Sequence, residues 1–419
     1  MPSGEAILRA LENIQATVSA VQKEVSDMKE THSSIISSQR HLLNEVLRLQ
    51  NHKKKFYTRL QDVPLEIIIH IFAWIPVRTV LKYRRLSKAI NQCLMTAQFA
   101  VLNIQTVDAQ KKSSHIGFDR IWFYLPEPYQ TVVASAIPGQ LKSIQSYFNP
   151  PIETKGLPES VTRLTALEII DLSICSLVGN IPDGIGSLQN LTDLNLADNS
   201  LTGMLPSSLS ALFALETLDL SNNELSGEFP ALPNLHALNT VIISGNRFTG
   251  AIPTVFGNPQ SLIRLNAERN CFTIIPATIG QLTNLEELDI SANCFECEIP
   301  AGIWNLTQLT YLCMSNCQLS GMLAGVGALQ NLTYLDMSNN QFSGELPSRE
   351  IQTLENLEEL HLIRNQFLGG EKMDMMESNL CTMCADPDIQ RNCIEWPEVY
   401  PCNSRHEVTG DFSDSENLP

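Results

Sequence analysis

The segment Leu191-Thr-Asp-Leu194-Asn-Leu196-Ala-Asp-Asn199-Ser-Leu201-Thr-Gly203-Met-Leu205-Pro206 recurs 24 residues later as Leu215-Glu-Thr-Leu218-Asp-Leu220-Ser-Asn-Asn223-Glu-Leu225-Ser-Gly227-Glu-Phe229-Pro230. The same frame occurs nine times in succession, 23 to 25 residues apart, with these pivots: Cys175, Asn199, Asn223, Asn246, Asn270, Asn293, Cys317, Asn340 and Asn365. A fixed period of this length is typical of a stacked solenoid, in which each repeat contacts only its neighbours.

The spacing within one repeat predicts its local structure. Leu194 and Leu196 fall on one face of an extended strand, because side chains alternate with period two. The pivot Asn199 has an amide that can bond backbone groups of neighbouring coils, and Gly203 permits backbone angles that a side chain would forbid. No repeat can bury its leucines alone, so nine stacked repeats build one continuous core.

These repeats resemble the plant-type subclass of leucine-rich repeats, whose pattern is LxxLxxLxLxxNxLxGxIPxxLxxL. The resemblance covers residues 158–370. It implies an α/β fold class, namely a curved leucine-rich-repeat solenoid with a parallel β-sheet on its concave face, and a function in binding instead of chemistry. One copy, Asn270-Cys-Phe-Thr-Ile-Ile-Pro276, lacks the glycine and is one residue short, which predicts a local kink or bulge.

Composition and length limit the classes of function. A chain of 419 residues is long enough for two or three structural units, and its net charge of −17 argues against nucleic-acid binding. The N-terminus lacks the basic and apolar regions of a secretory signal, and the longest apolar run, residues 67–77, is too short to span a bilayer. The sequence therefore predicts an intracellular protein that binds neither nucleic acid nor membrane.

Two further features follow from that location. The eleven cysteines are predicted to be mostly reduced thiols. The Asn-Leu-Thr sequons at Asn190, Asn305 and Asn331 are interpreted as part of the repeat consensus and not as glycosylation sites. We expect a cytoplasmic location, and the basic run at residues 52–55 offers a nuclear signal as the alternative to a solvated joint.

Residues 1–52 carry a heptad pattern. From Ile7 to Leu49 the chain keeps 4,3 spacing, and eleven of the thirteen core positions are apolar. The polar core positions His32 and Gln39 would fix the register of a parallel dimer. The sequence thus predicts a coiled coil and a homodimer. The alternative is a helix that folds back onto its own chain.

Residues 57–104 read as a short helical module. Pro64 suits the first turn of a helix, and Glu66 lies near its positive end. The segment resembles an F-box, whose pattern is LPxEIxxxIxxxLxxxxLxxxxxVSKxW. It departs from that pattern at Val63, where leucine is usual, and at Asn91, where an aromatic residue is common.

The F-box resemblance implies a partner and a set of contact residues. In that family the module docks the adaptor subunit of a cullin–RING ubiquitin ligase, and the repeats that follow capture a substrate. The chain would then be a substrate-recognition adaptor that contacts the ligase through Leu60, Pro64, Glu66, Ile67, Ile71, Ile75 and Leu81. The alternative is a leucine-rich-repeat scaffold that binds a partner without a ligase role.

The remaining segments are predicted to cover the ends of the solenoid. Residues 105–157 are expected to form a linker and N-terminal cap, residues 371–404 a C-terminal cap, and residues 405–419 a disordered acidic tail. The C-terminal cap contains four cysteines, Cys381, Cys384, Cys393 and Cys402. Three states stay open for them, namely reduced thiols, zinc ligands or disulfides. We predict no enzyme and no cofactor, because no phosphate loop, nucleophile elbow or kinase motif occurs.

The outward strand positions predict a binding site for a protein substrate or peptide. By register Tyr311 and Tyr334 stand side by side, about 5 Å apart, and carboxylates flank them. Aromatic anchors with an acidic rim are typical of a peptide-binding hot spot and favour a basic or mixed ligand. In the alternative, the aspartates of these columns are repeat consensus that holds neighbouring strands together. The predicted set is Arg264, Glu287, Asp289, Tyr311, Tyr334, Asp336, Glu359 and His361.

Overall fold

The computed structural model describes residues 69, 88–102, 127–136, 141–145, 156–374, 380, 382–386, 388–389 and 394–395. The chain divides into two units, Met1–Pro64 and Leu65–Pro419, and all described residues belong to the second. The predicted coiled coil, the basic run at 52–55, most of the F-box-like module and the acidic tail lie outside the described residues.

An eleven-stranded parallel sheet runs along the repeats. Its strands are β1 (Ser143–Gln145), β2 (Ile169–Asp171), β3 (Asp193–Asn195), β4 (Thr217–Asp219), β5 (Thr240–Ile242), β6 (Arg264–Asn266), β7 (Glu287–Asp289), β8 (Tyr311–Cys313), β9 (Tyr334–Asp336), β10 (Glu359–His361) and β11 (Thr382–Cys384). Each strand pairs with the next one in residue-for-residue register, as in the pairing of Leu312 with Leu335. The middle residue of every strand is apolar and buried, which places the core on one side of the sheet.

The sheet extends beyond the predicted repeat region, residues 158–370, at both ends. Strand β1 comes from the segment predicted as the N-terminal cap, and β11 from the segment predicted as the C-terminal cap.

The described α-helices are short: α1 spans Lys88–Leu94, α2 spans Glu127–Ala136 and α3 spans Ser348–Gln352. Helix α2 contacts the first repeat, where Ser160 Oγ donates to Gln130 Oε1 at 3.1 Å. No described helix has the length and apolar content that a membrane span requires.

Short parallel ladders form the side where each coil leaves the sheet. One contains Val178–Gly179, Ser200–Gly203, Glu224–Glu228, Arg247–Ala251 and Cys271–Ile274, and another contains Ser320–Gly321, Gln341–Leu346 and Gln366–Gly370. A further pair joins Met373–Asp374 to Ile394–Glu395. Return segments are single 3₁₀ turns at Glu159–Arg163, Asp183–Ser187, Ser207–Ala211, Pro259–Ser261, Ala277–Gln281, Ala301–Asn305 and Val326–Ala328.

The pivot asparagines join neighbouring coils, as predicted. Asn223 is buried, and its Nδ2 donates to Leu196 O at 2.9 Å in the preceding coil and to Leu220 O and Ser221 O at 3.1 Å in its own coil. Its Oδ1 accepts from Leu201 N at 2.9 Å. The amide thus satisfies backbone groups that the turn would otherwise leave buried without partners, each at a cost of about 1–3 kcal/mol.

A second set of asparagines explains two of the three sequons, those at Asn190 and Asn331. Asn190 Nδ2 donates to Thr165 O at 2.8 Å, and Asn331 Nδ2 donates to Thr307 O at 3.0 Å. Asn284, which is not part of a sequon, makes the equivalent bond to Gln260 O at 2.9 Å. Asparagine at this position therefore has a structural role in the repeat.

The ladders contain one irregularity that was predicted and two that were not, one of which is a register shift between Gly344 and Glu345 where Gln341–Leu346 pairs with Gln366–Gly370. The pairing of Cys271–Ile274 shifts register between Phe272 and Ile274, which confirms the predicted bulge in the short repeat. The unpredicted break separates the two ladders, in the coil that precedes Cys317. There Phe295 N donates to Cys317 O at 3.2 Å, because the thiol replaces the amide oxygen that accepts this bond in other coils.

Candidate functional site

The first and third residues of β1 to β11 form the exposed side of the sheet, which we call the sheet face. All eight predicted binding residues lie on it, on five adjacent strands from β6 to β10. We call this set the tyrosine patch: Arg264, Glu287, Asp289, Tyr311, Tyr334, Asp336, Glu359 and His361. The sequence register thus placed these residues together correctly.

Two tyrosines form the centre of the patch. The rings of Tyr311 and Tyr334 stack in parallel, with centroids 4.6 Å apart and an interplanar angle of 7°. His361 continues the row, with its ring centroid 5.6 Å from that of Tyr334 and tilted by 42°. Burial, and after it nearby acidic groups, raises the pKa of both phenols above the usual range. Both side chains therefore keep their hydrogen-bond donors at neutral pH.

An ion pair neutralises part of the charge of the patch. Arg264 Nε lies 2.9 Å from Glu287 Oε2, and both side chains are nearly half exposed. Since water screens such a pair, its contribution to stability is about 0–1 kcal/mol. At the other end, His361 Nε2 lies 3.4 Å from Glu359 Oε2.

The aspartates of the third column have a local structural role. Asp289 Oδ1 accepts hydrogen bonds from Ser291 N at 3.0 Å and Ser291 Oγ at 2.6 Å. Asp219 and Ser221 form the same pair, with distances of 3.0 and 2.7 Å. The aspartates are repeat consensus, as the alternative interpretation held. Asp219 and Asp289 fasten the end of their own strand through these bonds, and between strands Cys313 Sγ donates to Asp336 Oδ2 at 3.9 Å.

Acidic groups are concentrated around one thiol. Cys313 lies in register between Asp289 and Asp336, and burial raises the pKa of its thiol to about 11. Burial also raises the pKa of Asp289. The pKa of Glu268, two residues beyond β6, is raised by burial and then by the charge of Asp289. The centre of the patch therefore presents negative charge in partly desolvated surroundings.

A concavity of about 300 Å³ opens beside the stack. Its walls are Arg264, Leu265, Asn266, Glu287, Asp289 and Tyr311. Sequence reasoning missed Leu265 and Asn266 as lining residues, along with Cys313 between the carboxylates. The signal was present in the strand register, since Asn266 pairs directly with Asp289. The volume is at the lower end of the range for ligand pockets.

The other predicted sites are largely outside the described residues. This holds for the whole set predicted to contact a ligase adaptor, from Leu60 to Leu81, and for Cys381, Cys393 and Cys402. Cys384 is the third residue of β11, opposite His361. Within the described part of the chain, no group of three or more histidine, cysteine or acidic residues is arranged to hold a metal ion.

Comparison with known families shows what the repeats are similar to. Family models described as leucine rich repeat match residues 159–225, 236–295 and 331–349. No curated protein matches the chain significantly.

Solved structures similar to the chain include plant receptors bound to peptides. The plant peptide hormone receptor RGFR1 in complex with RGF2 has 29% identity and a TM-score of 0.55, over 62% of this chain and 42% of the receptor. The ectodomain of the Arabidopsis receptor kinase HAESA, with an extended IDA peptide hormone ligand, has 29% identity and a TM-score of 0.51, over 62% and 43%.

A third similar structure is the ectodomain of the Arabidopsis thaliana receptor kinase GASSHO1/SCHENGEN3 in complex with CASPARIAN STRIP INTEGRITY FACTOR 2. It has 27% identity and a TM-score of 0.50, over 62% of this chain and 34% of the receptor. The chain thus spans less than half the length of each of the three receptors. The matched segments are similar to leucine rich repeats, and the described repeats form a solenoid with a parallel sheet that resembles the ectodomains of plant receptors.

Proposed function

We propose that the tyrosine patch binds an extended peptide or an extended segment of a partner protein. The observation that carries this proposal is the parallel stack of Tyr311 and Tyr334 on a mostly polar sheet face. At the same strand position, β3 to β5 carry the smaller polar residues Asp193, Thr217 and Thr240. Neighbouring tyrosines are therefore not required by the repeat, and half-buried tyrosine is a preferred anchor in protein interfaces.

The dimensions of the patch suit a short extended segment. Strands β6 to β10 are separated by four inter-strand spacings of about 4.8 Å, a width of about 19 Å. An extended peptide rises about 3.3 Å per residue, so about six residues would cross the patch. The concavity beside Tyr311 would take one side chain of such a segment.

The similar receptors support this kind of ligand. RGFR1 was solved in complex with RGF2, and the HAESA ectodomain with a peptide hormone. For the present chain we propose a function in binding and no catalytic activity, since the patch holds a stack, ion pairs and consensus turns.

Peptide selection tests the proposal. Linear dodecapeptides from a random display library would be selected on the full-length chain, then measured on the Tyr311→Ala/Tyr334→Ala variant. We expect binding weaker by about 2 kcal/mol or more, roughly thirtyfold in Kd. The matched control, Thr217→Ala/Thr240→Ala, changes the same strand position in β4 and β5 and should bind normally. If selected peptides bind the tyrosine variant as tightly as the original chain, the proposal is wrong.

A second proposal is that residues 57–104 recruit a cullin–RING ubiquitin ligase, with the solenoid holding its substrate. It rests on the F-box-like pattern around Pro64 and Glu66, and the comparisons add no support to it. A pull-down with the full-length chain should retain the adaptor subunit, the Pro64→Ala/Ile71→Asp variant should lose it, and Val63→Leu should keep it. Failure of the intact chain to bind would leave a scaffold without a ligase role.

The same proposal includes an intracellular location and a homodimer formed through residues 1–52. Both rest on the sequence alone. Imaging of a tagged full-length chain would test the location, with a cytoplasmic signal expected and a nuclear one as the alternative. Light scattering of the purified chain would test the dimer, since a monomeric mass at micromolar concentration would exclude it.

A further inference from the structure

We infer that the tyrosine patch recognises an arginine side chain of its partner, with the guanidinium stacked on Tyr311 and bonded to Asp289. The inference rests on the proposed function, because the arginine belongs to the extended segment that crosses the patch. It adds the chemistry that selects the ligand.

The stack leaves one face of Tyr311 for a ligand. Tyr334 covers the other face, with its ring parallel at 4.6 Å. On the side of β7 and β6, Tyr311 lines the concavity opposite Arg264 and Asn266. A flat group that enters the concavity therefore meets an aromatic ring, and a planar cation is attracted to such a ring.

Asp289 supplies an acceptor at the same place. Its Oδ1 is taken by Ser291, whereas its Oδ2 accepts no hydrogen bond from a described residue. The carboxylate lines the concavity and lies on the strand next to Tyr311. A guanidinium stacked on the ring would thus find a carboxylate oxygen available at its edge.

The charge balance also favours a cation. Among the described residues, the arginines near the concavity already have carboxylate partners, Arg264 with Glu287 and Arg269 with Glu268. Within the same part of the chain, neither Asp289 nor Asp336 has a cation within 4.0 Å. A ligand cation would restore neutrality there, and burial of Asp289 strengthens that attraction.

The shape of the site favours arginine over lysine. Guanidinium is planar, stacks on aromatic rings and presents parallel N–H donors to a carboxylate. The ammonium group of lysine is a compact, strongly hydrated point charge that matches only the electrostatic part of the site.

The chain offers a variant that removes the charge of Asp289 and keeps the turn. Asn266 occupies the same strand position in β6, and its Oδ1 accepts from Glu268 N at 3.1 Å. Asp289→Asn should therefore fold normally. Asp219→Asn is the matched control, because Asp219 makes the same bonds to Ser221 three strands away from β7.

The experiment uses peptides selected on the full-length chain that lose binding to Tyr311→Ala/Tyr334→Ala. We expect arginine to be enriched in them, and its replacement by citrulline, a neutral group of the same shape, to weaken binding about tenfold or more. Lysine should restore binding only in part. Asp289→Asn should produce a similar loss and should remove the preference for arginine over citrulline, whereas Asp219→Asn should leave both unchanged.

The outcomes separate the two proposals. Tyrosine-dependent peptides that contain no essential arginine, or that bind Asp289→Asn normally, would overturn the arginine inference and leave the proposed function in place. If no selected peptide depends on the tyrosines, both fail.

Discussion

Replacing the pivot Asn340 by cysteine tests how the coils are joined. Asn340 Oδ1 accepts from Cys317 N at 3.1 Å and from Leu319 N at 3.0 Å. Its Nδ2 donates to Met314 O in the preceding coil at 2.7 Å. Cysteine is tolerated at this position elsewhere in the chain, so Asn340→Cys removes hydrogen bonds while keeping a residue that the fold accepts.

The coil before Cys317 sets the size of the effect. Leaving two buried N–H groups without acceptors would cost about 2–6 kcal/mol. Around Cys317 part of that cost is avoided, because Phe295 N donates to Cys317 O. We therefore expect Asn340→Cys to lower the free energy of unfolding by about 2–3 kcal/mol, at the lower end of the range.

Urea unfolding of the full-length chain measures this difference, and hydrogen exchange of the Leu319 amide locates it. The reverse change, Cys317→Asn, is the control. It restores an amide at the position and should cost no more than about 1 kcal/mol. A loss below about 0.5 kcal/mol for Asn340→Cys, with unchanged exchange at Leu319, would refute the argument that the amide oxygen holds the coils together.

Three further predictions concern single positions. Gly203 and Gly179 both have positive φ, but a Cβ added at Gly203 would lie 2.5 Å from a neighbouring side-chain oxygen, whereas one added at Gly179 would lie in open space. Urea unfolding should therefore show a larger loss of stability for Gly203→Ala than for Gly179→Ala. Because the pKa of Asp289 is raised in the folded state, ionisation of Asp289 destabilises the fold, and Asp289→Asn should be at least as stable as the original chain at pH 7. Any advantage of the variant should disappear as the pH falls through the pKa of Asp289 in the folded state and then through its pKa in the unfolded state. Unfolding curves measured across this pH range would check the prediction. Given its pKa of about 11, about one thousandth of Cys313 is thiolate at pH 8. Iodoacetamide should therefore label the exposed Cys294 long before the buried Cys313, as mass spectrometry of the native chain would show. Equal labelling would contradict the burial of Cys313.

The sequence was sufficient to predict the sheet and the tyrosine stack. Alternation with period two fixes which strand residues are buried, and the regular repeat brings equivalent residues into register. Tyr311 and Tyr334 therefore had to be neighbours, and their ring separation of 4.6 Å is close to the expected strand spacing. The short repeat predicted its bulge for a similar reason, since a missing residue must shift the register.

Other features depend on contacts that no repeat pattern encodes. The concavity needs Arg264 to be held by Glu287, and that depends on the conformations of two long side chains. The ladder break depends on the difference between a thiol and an amide oxygen as acceptors, which the size of Cys317 does not reveal. Strands β1 and β11 keep only part of the consensus, since Leu141 and Ile144 at β1 and Leu380 and Met383 at β11 have its spacing but no leucine follows at the third position.

The consensus role of the aspartates sharpens the assignment of function. Asp219 and Asp289 make the same bonds to the serine two residues later, so neither acidity nor position marks one of them as a binding residue. What distinguishes Asp289 is its surroundings, since the next strand carries Tyr311 of the aromatic stack two residues before Cys313, which pairs with Asp289, and Asp289 borders a concavity. Asp219 lies beside Ile242 and has no such partner. Specificity in this repeat therefore arises where a consensus group with an available acceptor meets a residue that the consensus does not require, as Asp289 meets Tyr311.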